Sequence, residues 1–245
     1  MDAGQMLEAA RSFEFSTLDQ RLGLGGLVVV APHPDDESLA CGGLIAEACL
    51  QRRPTRVVIV SDGTGSHPAS KTYPESRLRN LREQEASRAV RELGLDPPDI
   101  VFLRLPDRFV PNEGPAAEAA ASKVVECVLE VCAQALFVSW RHDPHCDHQA
   151  SYRIARAVQR RLPTLRLYEY TVWGWALPPE TQVQPITDGF RLRIERQREK
   201  KQRAIAAHRS QTTDLIKDDP KGFRLTEADL ARFDHPFEFF FESPE

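Results

Sequence analysis

The chain of 245 residues has no apolar run approaching the roughly 20 residues needed to cross a bilayer, so no transmembrane segment is expected. It has no basic excess either. The net charge is −4 and the pI near 6.0, which removes the bulk electrostatic footprint of a nucleic-acid binder. The one basic run, 191–203, also holds Glu195 and Glu199 and reads as a solvated helix face with mixed-sign pairs. The five cysteines are odd in number and form no Cys-x-x-Cys pair. Cys41, Cys49, Cys127 and Cys132 lie in apolar or helical surroundings and are expected reduced and buried. The first residues, MDAGQMLEAARSFEFS, carry early acidic groups and no signal-peptide core, so a cytoplasmic protein is expected. A dinucleotide fingerprint is also missing, because the glycines of Gly23–Gly26 precede a strand instead of following one. No internal repeat or low-complexity linker divides the chain. Its length suits one large α/β domain with a sizeable core.

What the chain does have is concentrated in 27–43, LVVVAPHPDDESLACGG. Leu27 to Ala31 is too short and too continuously apolar for a helix and reads as a strand buried on both faces. His33, Asp35, Asp36 and Glu37 follow without a spacer, and a helical pattern covers Ser38 to Arg52. One imidazole and three carboxylates therefore stand at the carboxyl end of a buried strand, where open α/β sheets keep their ligands. Imidazole with carboxylate suits zinc and related first-row divalent metals. The competing reading is a plain helix start, with Asp35 or Asp36 as N-cap and the other carboxylates favoured by the macrodipole.

Strand and helix then alternate. Strands are expected at 56–61, 99–103, 135–140 and 166–173, with helices at 77–93, 115–132 and 149–162. This pattern gives a Rossmann-like three-layer α/β fold with a mostly parallel sheet. A less regular α+β portion follows, with a strand at 181–186, a helix at 192–208, a short helix at 226–233 and a last strand at 237–241. The loops 67–76 and 107–115 are long enough to act as lid or specificity elements.

The strand at 135–140 runs straight into Arg141-His142-Asp143-Pro144-His145-Cys146-Asp147-His148, which holds three of the seven histidines. APHPDDE with its following Gly-Gly, and His145-Cys146-Asp147-His148 against a His-x-Asp-His pattern, resemble the LmbE-like, or PIG-L, zinc deacetylase family. Cys146 stands where that family usually has Pro. Arg82-Glu83-Gln84-Glu85, Asp107 in LRLPD, and the run from Lys201 through Ala204 and His208 to Ser210-Gln211 match further family patterns, so the likeness covers about 27–211. The resemblance implies His33, Asp36 and His148 as zinc ligands. It implies Asp35 as general base and His145 as partner of the oxyanion and the leaving amine, with Asp147 orienting His145 and favouring its protonated form. It further implies that Arg82 and Asp107 bind sugar hydroxyls, although an Arg82–Glu85 helix pair is the simpler reading of that motif. His208 and Gln211 would support the site from behind.

The chemistry required for amide hydrolysis agrees with that allocation: a metal-acidified water, a base within reach, a donor for the developing oxyanion and a proton for the amine. The expectation is thus a zinc-dependent hydrolase, with iron, cobalt or manganese as alternatives. It would remove the N-acetyl group from an N-acetylglucosamine-type sugar on a larger small-molecule substrate. The rivals are an amidase cleaving a longer acyl group or a sugar-thiol conjugate, a nucleotide-binding Rossmann-like protein, and a structural metal protein. A homo-oligomer is left open.

Overall fold

The computed structural model describes residues 1–185 and 188–243. Its first strand, β1 (Gly26–Ala31), is buried at every position. Leu27, Val29 and Ala31 face one apolar layer while Val28 and Val30 face the other, as the two-residue period of a strand requires. Each of the Leu and Val side chains contributes roughly 1.5–3 kcal/mol by leaving water. β1 lies between β2 (Thr55–Ser61) and β4 (Ala133–Ser139), parallel to both, with Val29 opposite Val57 and Phe137. Adding β3 (Ile100–Leu105), β5 (Arg166–Tyr170), β6 (Gly189–Arg193) and β7 (Phe237–Glu242) gives the order β3-β2-β1-β4-β5-β7-β6. The first five strands are parallel, and β7 and β6 close the edge in antiparallel pairs.

Helices cover both faces. α3 (Asp36–Leu50), α4 (Glu75–Leu93) and α7 (Arg198–Ala207) pack on one side. α5 (Pro115–Glu130) and α6 (Cys146–Arg161) pack on the other. Chain order reverses between β1 and β4, so the loops leaving these two strands open the crevice that doubly wound sheets use for ligands. α1 (Ala3–Ala10) joins Trp140, Val183 and Phe241 in a third, smaller apolar group, and α2 (Leu18–Leu22) adds Leu18 and Leu22 to the layer that holds α3.

The Gly42-Gly43 pair has a packing reason. A Cβ on Gly43 would stand 2.4 Å from Ile194 Cγ2. At this point the Glu238 carboxylate reaches into the middle of α3 and accepts the backbone N–H groups of Gly43 and Leu44, both at 2.8 Å. Lys201 Nζ donates to the same carboxylate at 2.7 Å, and both side chains are buried.

Three expectations fail in the C-terminal part. The helix expected over 192–208 starts only at Arg198. Leu192 and Arg193 belong to β6, where Phe190 and Leu192 face the core while Arg191 and Arg193 lie over the Phe15 ring. The strand expected over 181–186 is replaced by an isolated bridge between Asp2 and Gln182, with Ile186 outside the described residues. β5 stops at Tyr170 instead of Trp173, because the carboxylate of Asp143 takes the N–H groups of Val172 and Trp173.

Candidate active site

The strand ends of β1 and β4 bring their polar clusters together. His33 Nδ1, Asp36 Oδ2 and His148 Nε2 form a triangle with sides of 3.3, 3.2 and 3.3 Å. The outer nitrogens of both imidazoles face carboxylates. His33 Nε2 lies 3.1 Å from Asp147 Oδ2 and 3.3 Å from Asp107 Oδ1. His148 Nδ1 lies 3.3 Å from Asp143 Oδ1, a close electrostatic contact without good hydrogen-bond direction. With their protons drawn outward, both rings turn a lone pair inward, the usual arrangement of metal-ligating histidines. Donors about 2.0–2.1 Å from a tetrahedral ion stand about 3.3 Å apart, so the three side chains fit a divalent metal with a fourth position open. Overlapping groups of donors that could hold an ion bring in His145, Asp107 and Asp147, all within 4.8 Å of one another and of His33. The triangle of His33, Asp36 and His148 is tighter than these groups.

Electrostatics points the same way. Burial opposes a charge on His33, but Asp107, Asp147 and Asp36 outweigh it and lift its pKa well above the ordinary imidazole value. Burial likewise opposes charge on His148, yet Asp143 and Asp36 raise it to about 9. Asp36 is held well below the usual carboxylate range by His148 and His33, against its burial. The cluster is built around positive charge.

Asp35 sits at the N-cap of α3 but makes no capping bond. Its φ of 152° lies where side-chain-bearing residues are rare, a conformation that costs of order 1–3 kcal/mol. The unusual turn aims its carboxylate at Arg82 Nη2, 3.1 Å away, while Asp36 points at the histidines. Burial pushes the Asp35 pKa up to about 6, against the pull of Arg82.

His145 opens α6. Its Nδ1 accepts the backbone N–H of Asp147 at 3.2 Å, which leaves the ring proton on Nε2. Its pKa is lowered by burial and by the neighbouring His33 and His148. The expected carboxylate–imidazole contact between Asp147 and His145 is not formed among the described residues. Asp147 instead accepts from His33, from Arg108 N at 2.6 Å and from Val110 N at 3.1 Å. The first turn of α6 carries the Asp147 side chain toward β1 instead of back over its own N-cap.

Arg82 is buried. It donates to Gly63 O at 2.9 Å, Pro34 O at 2.7 Å and Asp35, and only its Nε lacks a partner. The Arg82–Glu85 pair is not formed, since Glu85 accepts from Ser210 N and Oγ. Asp107 accepts from Gly65 N at 2.8 Å besides facing His33. His208 pairs with Glu37 at 2.9 Å. His142 stands apart, edge-on to Trp140 and accepting from Gln184 N. Cys146 is exposed, with its thiol toward Arg108 O.

The cluster opens into a cavity of about 390 Å³. Asp35, Asp36, His33, Asp107 and His145 make its polar floor, and Pro144, Trp173, Ala176 and Phe223 make an apolar wall. The loop 67–76 contributes none of the lining. It is tied down by the C-terminal stretch: Asp218 accepts from Ser70, Lys71 and Thr72, Asp219 accepts from Ala69 N, and Phe223 N donates to Ser66 O. The residues that sequence reasoning missed are Asp143 and Phe223. Asp143 stood inside the histidine cluster, which was its signal. Phe223 lies in a stretch that no motif covers.

A doubly wound sheet with a carboxylate–imidazole group of metal-binding type at its switch point defines an α/β protein with a candidate metal centre. The sequence pattern of the PIG-L family, described as GlcNAc-PI de-N-acetylase, matches residues 28–159, more than half of the chain, and the chain belongs to that family. A curated relative from Bacillus cereus, a probable N-acetyl-alpha-D-glucosaminyl L-malate deacetylase, is 27% identical over 201 residues, covering 78% of this chain and 86% of that one. The N,N'-diacetylchitobiose deacetylase of Pyrococcus horikoshii shares the fold with a TM-score of 0.63 at 18% identity, over 86% of this chain and 78% of that one. The zinc-inhibited form of the teicoplanin deacetylase Orf2 does so with a TM-score of 0.64 at 16% identity, over 89% and 99%.

Proposed function

We infer that the chain is one metal-dependent N-deacetylase domain, acting in the cytoplasm on an N-acetylglucosamine-type sugar carried by a larger small molecule. The observation that carries this reading is the triangle of His33, Asp36 and His148 donors facing a cavity that also receives Asp35. Those three residues would hold the metal, zinc by default for this donor set, with other first-row divalent ions as substitutes. When bound, such an ion supplies Lewis acidity, acidifying water and polarising a carbonyl.

The remaining steps fall to side chains. Asp35 is the base that takes the proton of the attacking water, and a carboxylate with a pKa raised to about 6 is well matched to that task. His145, neutral and protonated on Nε2, donates to the acyl oxygen as negative charge grows there. The proton taken by Asp35 is then at hand for the leaving amine, a duty the neutral His145 is poorly suited to share. Asp107 and Asp147 hold His33, and Asp143 attends His148. Trp173 and Phe223, edge to face with centroids 5.6 Å apart, exclude water from one side.

The test is acetate release from N-acetylglucosamine and a panel of its glycosides, with and without a chelator. Chelator-sensitive release is expected. Protein carrying one bound metal that released nothing from the panel would overturn the substrate assignment. The apolar wall favours one second reading, a longer acyl group or an apolar portion of the acceptor lying against Trp173, Ala176 and Phe223. A comparison of short and long acyl groups on glucosamine separates the two.

A further inference from the structure

The Pro34–Asp35 peptide is gripped from both sides. Its carbonyl oxygen accepts from Arg82 Nη2 at 2.7 Å, and its N–H donates to Glu37 Oε2 at 3.0 Å. The orientation of this one peptide plane sets the φ of Asp35, which is 152°. Glu37 is in turn held by two groups. Ser38 Oγ donates to Glu37 Oε1 at 2.6 Å, and His208 Nε2 stands 2.9 Å from the same oxygen. Glu37, Ser38 and His208 are all buried, at 0%, 0% and 1% exposure.

A helix start does not need this. Any water-exposed acceptor can cap a backbone N–H, whereas a carboxylate and an imidazole sunk together in the interior are costly to desolvate. The two residues also come from distant parts of the chain, Glu37 from the first turn of α3 and His208 from the end of α7. Nothing in metal ligation uses either of them. Glu37 touches the backbone of the proposed base, and His208 touches Glu37.

We propose that Glu37 and His208 are positioning residues, which act through the Pro34–Asp35 peptide to keep Asp35 in its rare conformation with the carboxylate turned into the cavity. Arg82 grips the other side of the same peptide and the carboxylate itself. The pair thus separates the directions of two adjacent aspartates, one toward the metal donors and one toward the substrate. This role rests on Asp35 being the base of the proposed reaction.

The experiment compares His208→Phe with Ser38→Ala, the milder variant, each alone and combined with Asp35→Asn. His208→Phe should lower kcat about 10- to 100-fold with KM little changed and metal content retained, and His208→Gln, which keeps a donor, should recover part of the loss. Ser38→Ala should show the same pattern at a few-fold. Combined with Asp35→Asn, neither substitution should lower the residual rate further, because residues acting as a unit are not additive. Crystal structures of His208→Phe and Ser38→Ala should show Asp35 relaxed to negative φ in the first and shifted in the second. Equal fold-losses with and without Asp35, or an unchanged Asp35 backbone in both structures, would overturn the proposal. If the wild-type protein released no acetate, the reaction assignment would fall, and the φ of Asp35 in the variants would still decide the positioning.

Discussion

The polar floor of the cavity comes from two short stretches, 33–37 and 141–148, with Asp107 added from the turn after β3, and each lies within a few positions of a strand end. Its brace comes from the last third of the chain, and every brace contact spans a long separation. Glu238 reaches Gly43 across 195 residues, Asp218 reaches Ser70 across 148, and Ser210 reaches Glu85 across 125. The floor consists of groups whose value is chemical: lone pairs, carboxylates and one strained backbone. The brace consists of carboxylates joined to backbone N–H groups of distant elements, with Glu238 and Asp218 accepting from the earlier part of the chain and Ser210 donating to Glu85. The strands aim the chemistry, and the C-terminal part keeps the aimed pieces still. Substitutions in the two regions should therefore register on different instruments.

The largest effect belongs to the floor. His33→Ala removes one corner of the donor triangle and should abolish metal retention and chelator-sensitive acetate release together, while thermal unfolding of the metal-free protein moves little. Metal analysis after dialysis, with calorimetry on the same sample, checks this. A variant that lost its fold along with its metal would break the division between the regions. The brace is tested by Glu238→Gln, which leaves Lys201 buried without its counter-charge. Breaking a buried pair in this way costs about 3–5 kcal/mol, or roughly 6–20 °C in Tm for a chain of this length. Adding Lys201→Met should restore part of that loss. Metal content should stay unchanged in both variants.

Asp143→Asn sharpens the comparison, because Asp143 serves both regions. It faces His148 at 3.3 Å and also ends β5 by taking the N–H groups of Val172 and Trp173. Both N–H groups donate to Asp143 Oδ2, so an amide oxygen in that place can keep both bonds, but the amide is uncharged and cannot balance an imidazole. Metal affinity should fall about 10- to 100-fold. Acetate release should return as metal is added in excess, which a titration with zinc would show.

The sequence made the floor readable because a strand buried on both faces is continuously apolar, and His33, Asp35 and Asp36 follow it without a gap. What could not be read were partners set by three-dimensional turns. The family resemblance paired Asp147 with His145, two residues away, but the first turn of α6 rotates its carboxylate to His33. β6 was misread for a different reason. Its five residues carry two arginines, and only pairing with β7 shows that Phe190 and Leu192 face the core. The loop 67–76 looked like a lid because its composition is that of a free loop. Its restraint comes from Asp218 and Asp219, which no local pattern links to it.

That restraint gives the smallest expected effect and the closest test of the brace. Asp218 is exposed, yet its carboxylate accepts from Lys71 N at 2.8 Å, Thr72 N at 2.9 Å, Thr72 Oγ1 at 2.7 Å and Ser70 Oγ at 2.8 Å. These bonds, led by those from Thr72, hold its pKa well below the usual carboxylate range. A carboxylate depressed in the folded state stabilises above its unfolded pKa and loses that contribution only as pH falls through the folded value. The clamp should therefore be intact throughout the neutral and mildly acidic range. Amide exchange at Lys71 and Thr72, corrected for its intrinsic pH dependence, should be equally slow from about pH 5 to 8. Asp218→Ala should speed exchange at those amides about tenfold or more, and leave metal content, Tm and kcat near their original values. Since the loop lies behind Ser66 and not in the cavity wall, any kinetic change should appear in KM alone. Slow exchange at those amides in Asp218→Ala would mean that the loop is held by its own turn and by the Asp219–Ala69 bond, and that the Asp218 carboxylate is not the clamp.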